Sequence, residues 1–428
     1  MNFSRHLLTN GVRVVFVPML EAQTVLVQVL AGAGSHYENK KQNGLSHFLE
    51  HLLFKGTRKR PSSRIIAEEI DRIGGEINAF TDKEQTGYWA RVEKRYGELA
   101  LDVIADLYLN PLLKQEEIEK ERGVILQEAA MYRDMPAAYV WDVFEKLLFG
   151  EQAAGRSIVG EDENIKNFQR KDFVQYLKKF YGSGNTVVAV AGNFQEEIFL
   201  KKIKELFGGK KISTREKKSA KMLPIKNFKS SSKVAFFSKK TDQAQFVLGA
   251  PAGNMFSPMR YAEKLLAVAL GGGMSSRLFL NIREKRGLCY HISAGNEQNL
   301  TSGYFHISAG VNPAKLPLAV ALIGKELQKI KTQKISSVEL RKIKEYYKGK
   351  LLMSLESPTG AVTFFANQEL YKGEIEEETV LLEKVEQVSA EEIRQAAERI
   401  FSVDQLRLAV ITEQNKGQAL AKILEKIK

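Results

Sequence analysis

The apolar and polar positions follow the same order in two parts of the chain. Residues 24–35 and 244–253 are apolar runs typical of strands. After a loop, residues 44–56 and 259–273 carry apolar side chains at helical spacing. The sequence therefore predicts a strand followed by a helix in each half of the chain.

Each half also has a short β-branched run late in its sequence, at residues 185–194 and 405–412. Amphipathic helical patterns precede these runs, for example at residues 63–75 and 390–401. This order predicts an α+β fold made of two similar units, each a sheet covered by helices.

Charge marks the boundary between the halves. The chain of 428 residues has 64 Lys+Arg and 51 Asp+Glu, a net charge of +13. Residues 1–209 hold 28 basic and 29 acidic side chains, residues 210–233 hold 9 and 1, and residues 234–428 hold 27 and 21, which gives −1, +8 and +6. Residues 210–233 are also poor in large apolar side chains, so we expect a basic, solvated linker between domains 1–209 and 234–428.

Composition excludes several classes of protein. The chain is 44% hydrophobic and 27% charged, which excludes disorder for most of it. Cys289 is the only cysteine, so neither an intramolecular disulfide nor a Cys-rich metal site can form. No apolar stretch approaches 18 residues and no secretory signal is recognisable, so we expect a cytoplasmic protein with no membrane segment.

Two of the six histidines stand in the segment His47-Phe48-Leu49-Glu50-His51. On a helix, residues four apart are separated by about 40° around the axis, and Glu50 lies within about 60° of His47 on the other side. The two imidazoles can therefore bind one Zn²⁺ while the carboxylate accepts a proton from water. This pattern is the inverse of the H-E-x-x-H arrangement of other zinc peptidases.

A catalytic zinc site usually takes a third protein ligand from another element. The helical segment 121–128 carries Glu121 and Glu128 seven residues apart, hence on one face and two turns apart. Spacing alone does not select Glu128 among the many glutamates of the chain.

Three segments resemble the pitrilysin and mitochondrial-processing-peptidase family of zinc peptidases. Residues 44–57, GLSHFLEHLLFKGT, are similar to its zinc-site helix, and residues 74–92 are similar to its G-G-x-x-N-A-x-T block. Residues 271–290, GGGMSSRLFLNIREKRGLCY, resemble its second-domain motif. The resemblance covers nearly the whole chain and implies two homologous α/β-roll domains, each with a mostly antiparallel sheet packed against helices, in the short single-unit branch of the family.

The resemblance also assigns roles at the metal site. In the family, about 76 residues separate the second histidine from a glutamate ligand, and 76 residues separate His51 from Glu128 here. The resemblance therefore implies that His47, His51 and Glu128 are the zinc ligands and that Glu50 is the general base. Glu121 becomes a carboxylate that orients a ligand.

Two further groups follow from the resemblance. One is an edge strand that binds the substrate backbone as an added strand, and it contains Asn78, Ala79, Phe80 and Thr81. The other is the pair Arg283 and Tyr290, which supplies donors to the oxygen that becomes anionic during hydrolysis. For Asn78 alone, a role as a turn residue at a strand edge is the simpler interpretation, and the basic loop around Arg283 is also typical of a solvated surface.

The sequence thus predicts a zinc metalloendopeptidase that acts on extended peptides or unfolded polypeptides. One chain holds both the zinc motif and the Arg/Tyr pair, so we expect a homodimer. A non-catalytic scaffold subunit of the same fold is the alternative. Nucleic-acid binding through the Lys-rich linker is not expected, because the linker lacks interleaved aromatic residues and any known binding module.

Overall fold

The computed structural model describes residues 1–209, 230 and 232–427. Almost all of the predicted linker, residues 210–233, therefore lies outside the described residues. The strands of the first sheet are β1 (Ser4–Leu7), β2 (Arg13–Pro18), β3 (Thr24–Ala31), β4 (Glu76–Thr81), β5 (Thr86–Glu93) and β6 (Thr186–Gly192). Those of the second sheet are β7 (Val234–Ser238), β8 (Ala244–Pro251), β9 (Cys289–Gln298), β10 (Gly303–Val311) and β11 (Arg407–Thr412).

The α-helices confirm the helical patterns of the sequence. They are α1 (Leu45–Leu53), α2 (Ser63–Asp71), α3 (Gly97–Leu109), α4 (Gln115–Asp134), α5 (Pro136–Phe149), α6 (Asp162–Asn167), α7 (Arg170–Phe180), α8 (Glu196–Phe207), α9 (Arg260–Gly271), α10 (Leu316–Thr332), α11 (Ser337–Leu355), α12 (Pro358–Tyr371), α13 (Glu378–Gln387), α14 (Ala390–Ile400) and α15 (Gly417–Glu425). None of the helices in the described part of the chain is both long and apolar enough to cross a membrane.

The two sheets share one strand order. The first is β1-β2-β6-β3-β5-β4 and the second is β7-β11-β8-β10-β9, so they match strand for strand once β1 is set aside. All pairs are antiparallel except β2 with β6 and β7 with β11. The predicted fold of two mostly antiparallel sheets packed against helices is confirmed.

Each sheet has apolar residues packed against both of its faces. On one face, the packing helix comes from the other half of the sequence. In the first sheet, Val15 and Ala189 pack against Phe365 of α12. In the second sheet, Val247 and Ala409 pack against α5, through apolar residues that include Phe144. Strands buried on both faces need an apolar layer on each side, and these exchanged helices supply the second layer.

The chain folds into two compact units, and each unit is made of three separate segments of the sequence. One comprises Met1–Ala129, Ser157–Leu223 (described to residue 209) and Leu351–Glu378. The other comprises Ala130–Arg156, Pro224–Lys350 (described from residue 230, without 231) and Thr379–Lys428 (described to residue 427). The domains predicted from chain order, 1–209 and 234–428, place α5 in the first domain and α12 in the second. Periodicity shows that a helix has an apolar face, but it does not show which sheet that face packs against.

Candidate metal centre

The helix that carries the histidine motif, α1, begins at a glycine that no other residue can easily replace. Gly44 precedes the first helical residue with a φ of 97°, in the left-handed region. A Cβ atom built on Gly44 would lie 2.6 Å from the carbonyl oxygen of Val159. Both the backbone conformation and the close packing therefore fix where α1 starts, and with it the direction in which the motif points.

A buried carboxylate, Glu38, holds the first turn of α1. It accepts hydrogen bonds from the backbone N–H of Gly44 at 2.9 Å and from the backbone N–H and hydroxyl of Ser46 at 2.7 and 2.6 Å. Because the Ser46 hydroxyl donates to Glu38, the Tyr176 hydroxyl, 2.6 Å away, donates to Ser46. An anion at a helix N-terminus is favoured by the helix dipole and by the free N–H groups there. Glu38 thus anchors the residue next to His47.

Replacing Glu38 by glutamine is expected to lower the free energy of unfolding of the first unit by about 2–4 kcal/mol, since buried donors lose a charged acceptor. Urea unfolding followed by circular dichroism measures this change. Glu21→Gln, the same substitution at an exposed turn position between β2 and β3, serves as the control and should shift the free energy by less than about 0.5 kcal/mol. Equal stability of the two variants would contradict the anchoring role.

Three predicted ligands converge on one point. The Nε2 atoms of His47 and His51 lie 3.7 and 3.5 Å from Oε2 of Glu128. The ligand atoms of the three residues all lie within 4.8 Å of one another. Within residues 1–209, 230 and 232–427, this is the one group of three or more His, Cys, Asp or Glu side chains with such geometry. The helices α1 and α4 supply the two histidines and the glutamate.

The donor set fits a zinc ion. Two atoms each bound about 2.0–2.1 Å from a tetrahedral zinc lie about 3.4 Å apart, close to the distances seen here. Oε2 of Glu128 is buried, and no hydrogen-bond donor of the described residues reaches it. A buried carboxylate oxygen without a donor is costly unless a cation satisfies it. Two imidazoles and one carboxylate also leave a fourth position open, as catalytic zinc sites require.

A second carboxylate, that of Glu121, contacts one of the predicted ligands. The Nδ1–H of His51 donates to Oε1 of Glu121 at 2.8 Å, which directs Nε2 toward Glu128. Oε2 of Glu121 pairs with the ammonium of Lys55 at 2.6 Å. Such outer partners fix the tautomer and orientation of a metal-ligating histidine. The orienting role of Glu121 stays a prediction. Lys55 was not predicted as a site residue, although its position four residues after His51 on the same face of the helix was a signal for it.

The surroundings shift the pKa values of these groups in different directions. Burial, and then the neighbouring His51, lower the pKa of His47 to about 3, so this imidazole is neutral and available as a ligand at pH 7. Burial also acts to lower the pKa of His51, but the hydrogen bond to Glu121 and the charges of Glu128 and Glu50 outweigh it and raise that pKa. Burial opposes ionisation of Glu121 as well, yet its bonds to His51 and Lys55 lower its pKa.

Glu50 lies on the same helix but outside the three-residue group. Its Oε2 accepts a hydrogen bond from the hydroxyl of Thr81 at 2.5 Å. Burial raises the pKa of Glu50, a shift that the Thr81 hydrogen bond only partly offsets. Burial and the hydrogen bond from Thr81 therefore act on the ionisation of Glu50 in opposite directions.

The predicted substrate strand, β4, is an edge strand of the first sheet. Among the described residues it pairs with β5 on one side only, from Glu76 opposite Arg91 to Thr81 opposite Thr86. Asn78 lies within the strand with an exposed side chain, rather than at a turn. Ala79 and Phe80 are partly buried on opposite faces of the sheet.

The second unit brings Arg283 and Tyr290 together. The Arg283 guanidinium lies 4.9 Å from the centre of the Tyr290 ring and 4.6 Å from that of Phe279. Arg283 belongs to a π-helical turn, Phe279–Glu284, and Tyr290 is 78% exposed. Stacking on two rings restricts the guanidinium while its N–H donors stay available.

Comparisons with known proteins identify the family of this chain. The family model described as insulinase (peptidase family M16) matches residues 13–162, and that of the peptidase M16 inactive domain matches residues 167–347. The zinc protease YmxG of Bacillus subtilis is 34% identical over 94% of this chain and 96% of its own length. A zinc protease of Rickettsia felis is 34% identical over 94% of this chain and 95% of its own.

Solved structures share the fold. A protease from Helicobacter pylori superposes with a TM-score of 0.88 at 24% identity, over 96% of this chain and 99% of its own. With two family models that together cover most of the sequence, and relatives similar over nearly their full length, this chain belongs to peptidase family M16, the insulinase family. It is a zinc metallopeptidase, and its cofactor is Zn²⁺.

Proposed function

We propose that this chain is a zinc endopeptidase that hydrolyses peptide bonds in extended peptides or unfolded polypeptides. His47, His51 and Glu128 hold the metal, and Glu50 is the general base. The observation that supports this proposal best is the meeting of His47, His51 and Glu128, with the carboxylate of Glu50 on the same helix as the two histidines. Glu121 orients His51 through the hydrogen bond at its Nδ1.

Peptide-bond hydrolysis at this site needs one metal ion and one residue that transfers a proton. When bound, Zn²⁺ polarises the scissile carbonyl and lowers the pKa of a water molecule to about 7. Glu50 takes a proton from the attacking water as the new C–O bond forms. The protonated Glu50 then gives that proton to the amine nitrogen as the C–N bond breaks. The reaction consumes one water molecule for each peptide bond that is hydrolysed.

The edge position of β4 supports its proposed role in substrate binding. The backbone groups of residues 78–81 that do not pair with β5 can pair with an extended peptide, which adds a strand to the sheet. Main-chain hydrogen bonds depend little on side chains, so this mode favours extended or unfolded substrates over folded ones. Arg283 and Tyr290 are assigned to the oxygen that becomes anionic, since a guanidinium and a phenol both donate hydrogen bonds.

The test is a quenched peptide library incubated with the purified chain, with zinc measured by mass spectrometry. Zinc at about one ion per chain, with internal cleavage sites, supports the endopeptidase. No cleavage after zinc has been added would overturn it in favour of a scaffold subunit. Release of terminal residues alone would contradict endopeptidase activity while leaving the metal site intact. The cytoplasmic location stays a prediction.

We further propose that the protein is a homodimer, because one chain carries both the metal group and the Arg/Tyr pair. Size-exclusion chromatography with light scattering is expected to give twice the chain mass of 48.2 kDa. A mass of one chain at working concentrations would contradict the dimer.

A further inference from the structure

The hydroxyl of Thr81 links the end of the substrate strand to the carboxylate of Glu50. Thr81 is the last residue of β4, and its Oγ1 donates to Oε2 of Glu50 at 2.5 Å. Glu50 belongs to α1, so this contact joins the motif helix to the edge of the sheet. The strand pattern assigns Thr81 only a backbone role, whereas the structure adds a specific side-chain contact.

Strand alternation places this hydroxyl on the helix side of the sheet. Ile77 and Ala79 pack into the core that contains Phe48 of α1, whereas Phe80 packs into the core on the opposite face. Thr81, two residues after Ala79, therefore faces α1. A shift of one residue in the pairing of β4 with β5 would turn its hydroxyl away from Glu50.

The turn after Thr81 is held firmly in place. Asp82 N–H donates to the carbonyl of Gln85 at 2.8 Å, and His36 N–H donates to the carbonyl of Lys83 at 2.8 Å. A Cβ atom built on Gly34 would lie 2.3 Å from the carbonyl oxygen of Asp82, so the turn packs directly on the backbone there. The donor on Thr81 thus belongs to a well-fixed backbone segment.

We propose that Thr81 is a positioning residue for the general base, an inference that rests on the proposed role of Glu50. A glutamate side chain has three rotatable bonds, and a free carboxylate would sample several orientations. The Thr81 hydroxyl engages Oε2 and leaves Oε1 to accept the proton from water. Because a catalytic group must be held to within about 0.5 Å, this single bond affects turnover rather than substrate binding.

The variants Thr81→Val and Thr81→Ser distinguish the effect of the side-chain hydroxyl from that of backbone pairing in β4. Valine has nearly the same shape and favours strands, so backbone pairing along β4 is retained. Loss of a hydrogen bond to a charged group predicts a fall in kcat of roughly tenfold to a hundredfold for Thr81→Val, with KM within about twofold. Thr81→Ser keeps the hydroxyl and should restore kcat to within about threefold of the parent, the remainder reflecting the freer χ1 of serine.

Thr24→Val is the matched control, since Thr24 begins β3 in the same sheet. It should leave kcat unchanged, and all variants should bind zinc as the parent does. A Thr81→Val enzyme with parental kcat would overturn the positioning role, as would a serine variant as slow as the valine variant.

Peptide binding without cleavage separates positioning from substrate contact. Fluorescence anisotropy of a labelled extended peptide should give the same affinity for the single variant Glu50→Gln and for the double variant that combines Glu50→Gln with Thr81→Val. A weaker affinity in the double variant would overturn the inference, because the hydroxyl would then contact substrate. Full activity of Glu50→Gln alone would instead refute the proposed function, whereas an inactive Glu50→Gln beside a fully active Thr81→Val refutes only the inference.

Discussion

Glu50→Gln is expected to reduce kcat for peptide hydrolysis by roughly a hundredfold to ten-thousandfold, the usual contribution of a general base. The amide has the shape of the carboxylate but cannot accept the proton of the attacking water or return it to the leaving amine. Glu50 lies outside the group of three ligand side chains. The variant should therefore keep its zinc, with the fold and the first turn of α1 unchanged.

The assay is initial-rate hydrolysis of a quenched peptide, with zinc per chain measured on the same preparation. Glu197→Gln provides the control, because it is the same change at an exposed site. Parental activity in Glu50→Gln would contradict the mechanism. Loss of zinc would show that Glu50 is needed to hold the metal, which the geometry of the ligand group does not predict.

Glu128→Gln is expected to weaken zinc binding by more than about a hundredfold, beyond the effect of removing an outer partner of a metal ligand. Oε2 of Glu128 lies 3.7 Å from Nε2 of His47 and 3.5 Å from Nε2 of His51. Glu128 is the one carboxylate among these three side chains. An amide oxygen carries no charge to offset the metal, so both zinc content and turnover should fall together.

Competition with a chromogenic chelator measures the affinity, and added zinc should restore part of the activity. Glu121→Gln is the informative comparison, since Glu121 contacts His51 at Nδ1, the nitrogen that faces away from Glu128. Its zinc affinity should fall by about tenfold to a hundredfold. Equal losses in the two variants would contradict the distinction between ligand and orienting residue.

Much of this site could be predicted from local sequence. His47, Glu50 and His51 lie within five residues of one helix, so helical geometry alone puts them on one face. Glu128 was a different case, because spacing left it among many glutamates and only the family resemblance selected it. Its meeting with the histidines depends on how α4 packs near α1, which no local pattern encodes.

The contacts of Lys55, Glu38 and Thr81 show the same limit. Each side chain acts through a partner that local periodicity does not identify: Lys55 through Glu121, Glu38 through the first turn of α1, and Thr81 through Glu50. Sequence patterns give the period of a strand or helix, but they do not give the distance between two such elements.

The sequence by itself determined the strand and helix order, the repeat of that order in two halves, and a histidine motif suited to zinc. These properties depend on periodicity and on residues close together in the chain. The tertiary structure alone decided that α5 and α12 cover the sheets of opposite halves, and that the Thr81 hydroxyl reaches Glu50. The reason is physical: burial of apolar faces selects partners by shape and contact across the whole chain, and local spacing carries no information about that choice.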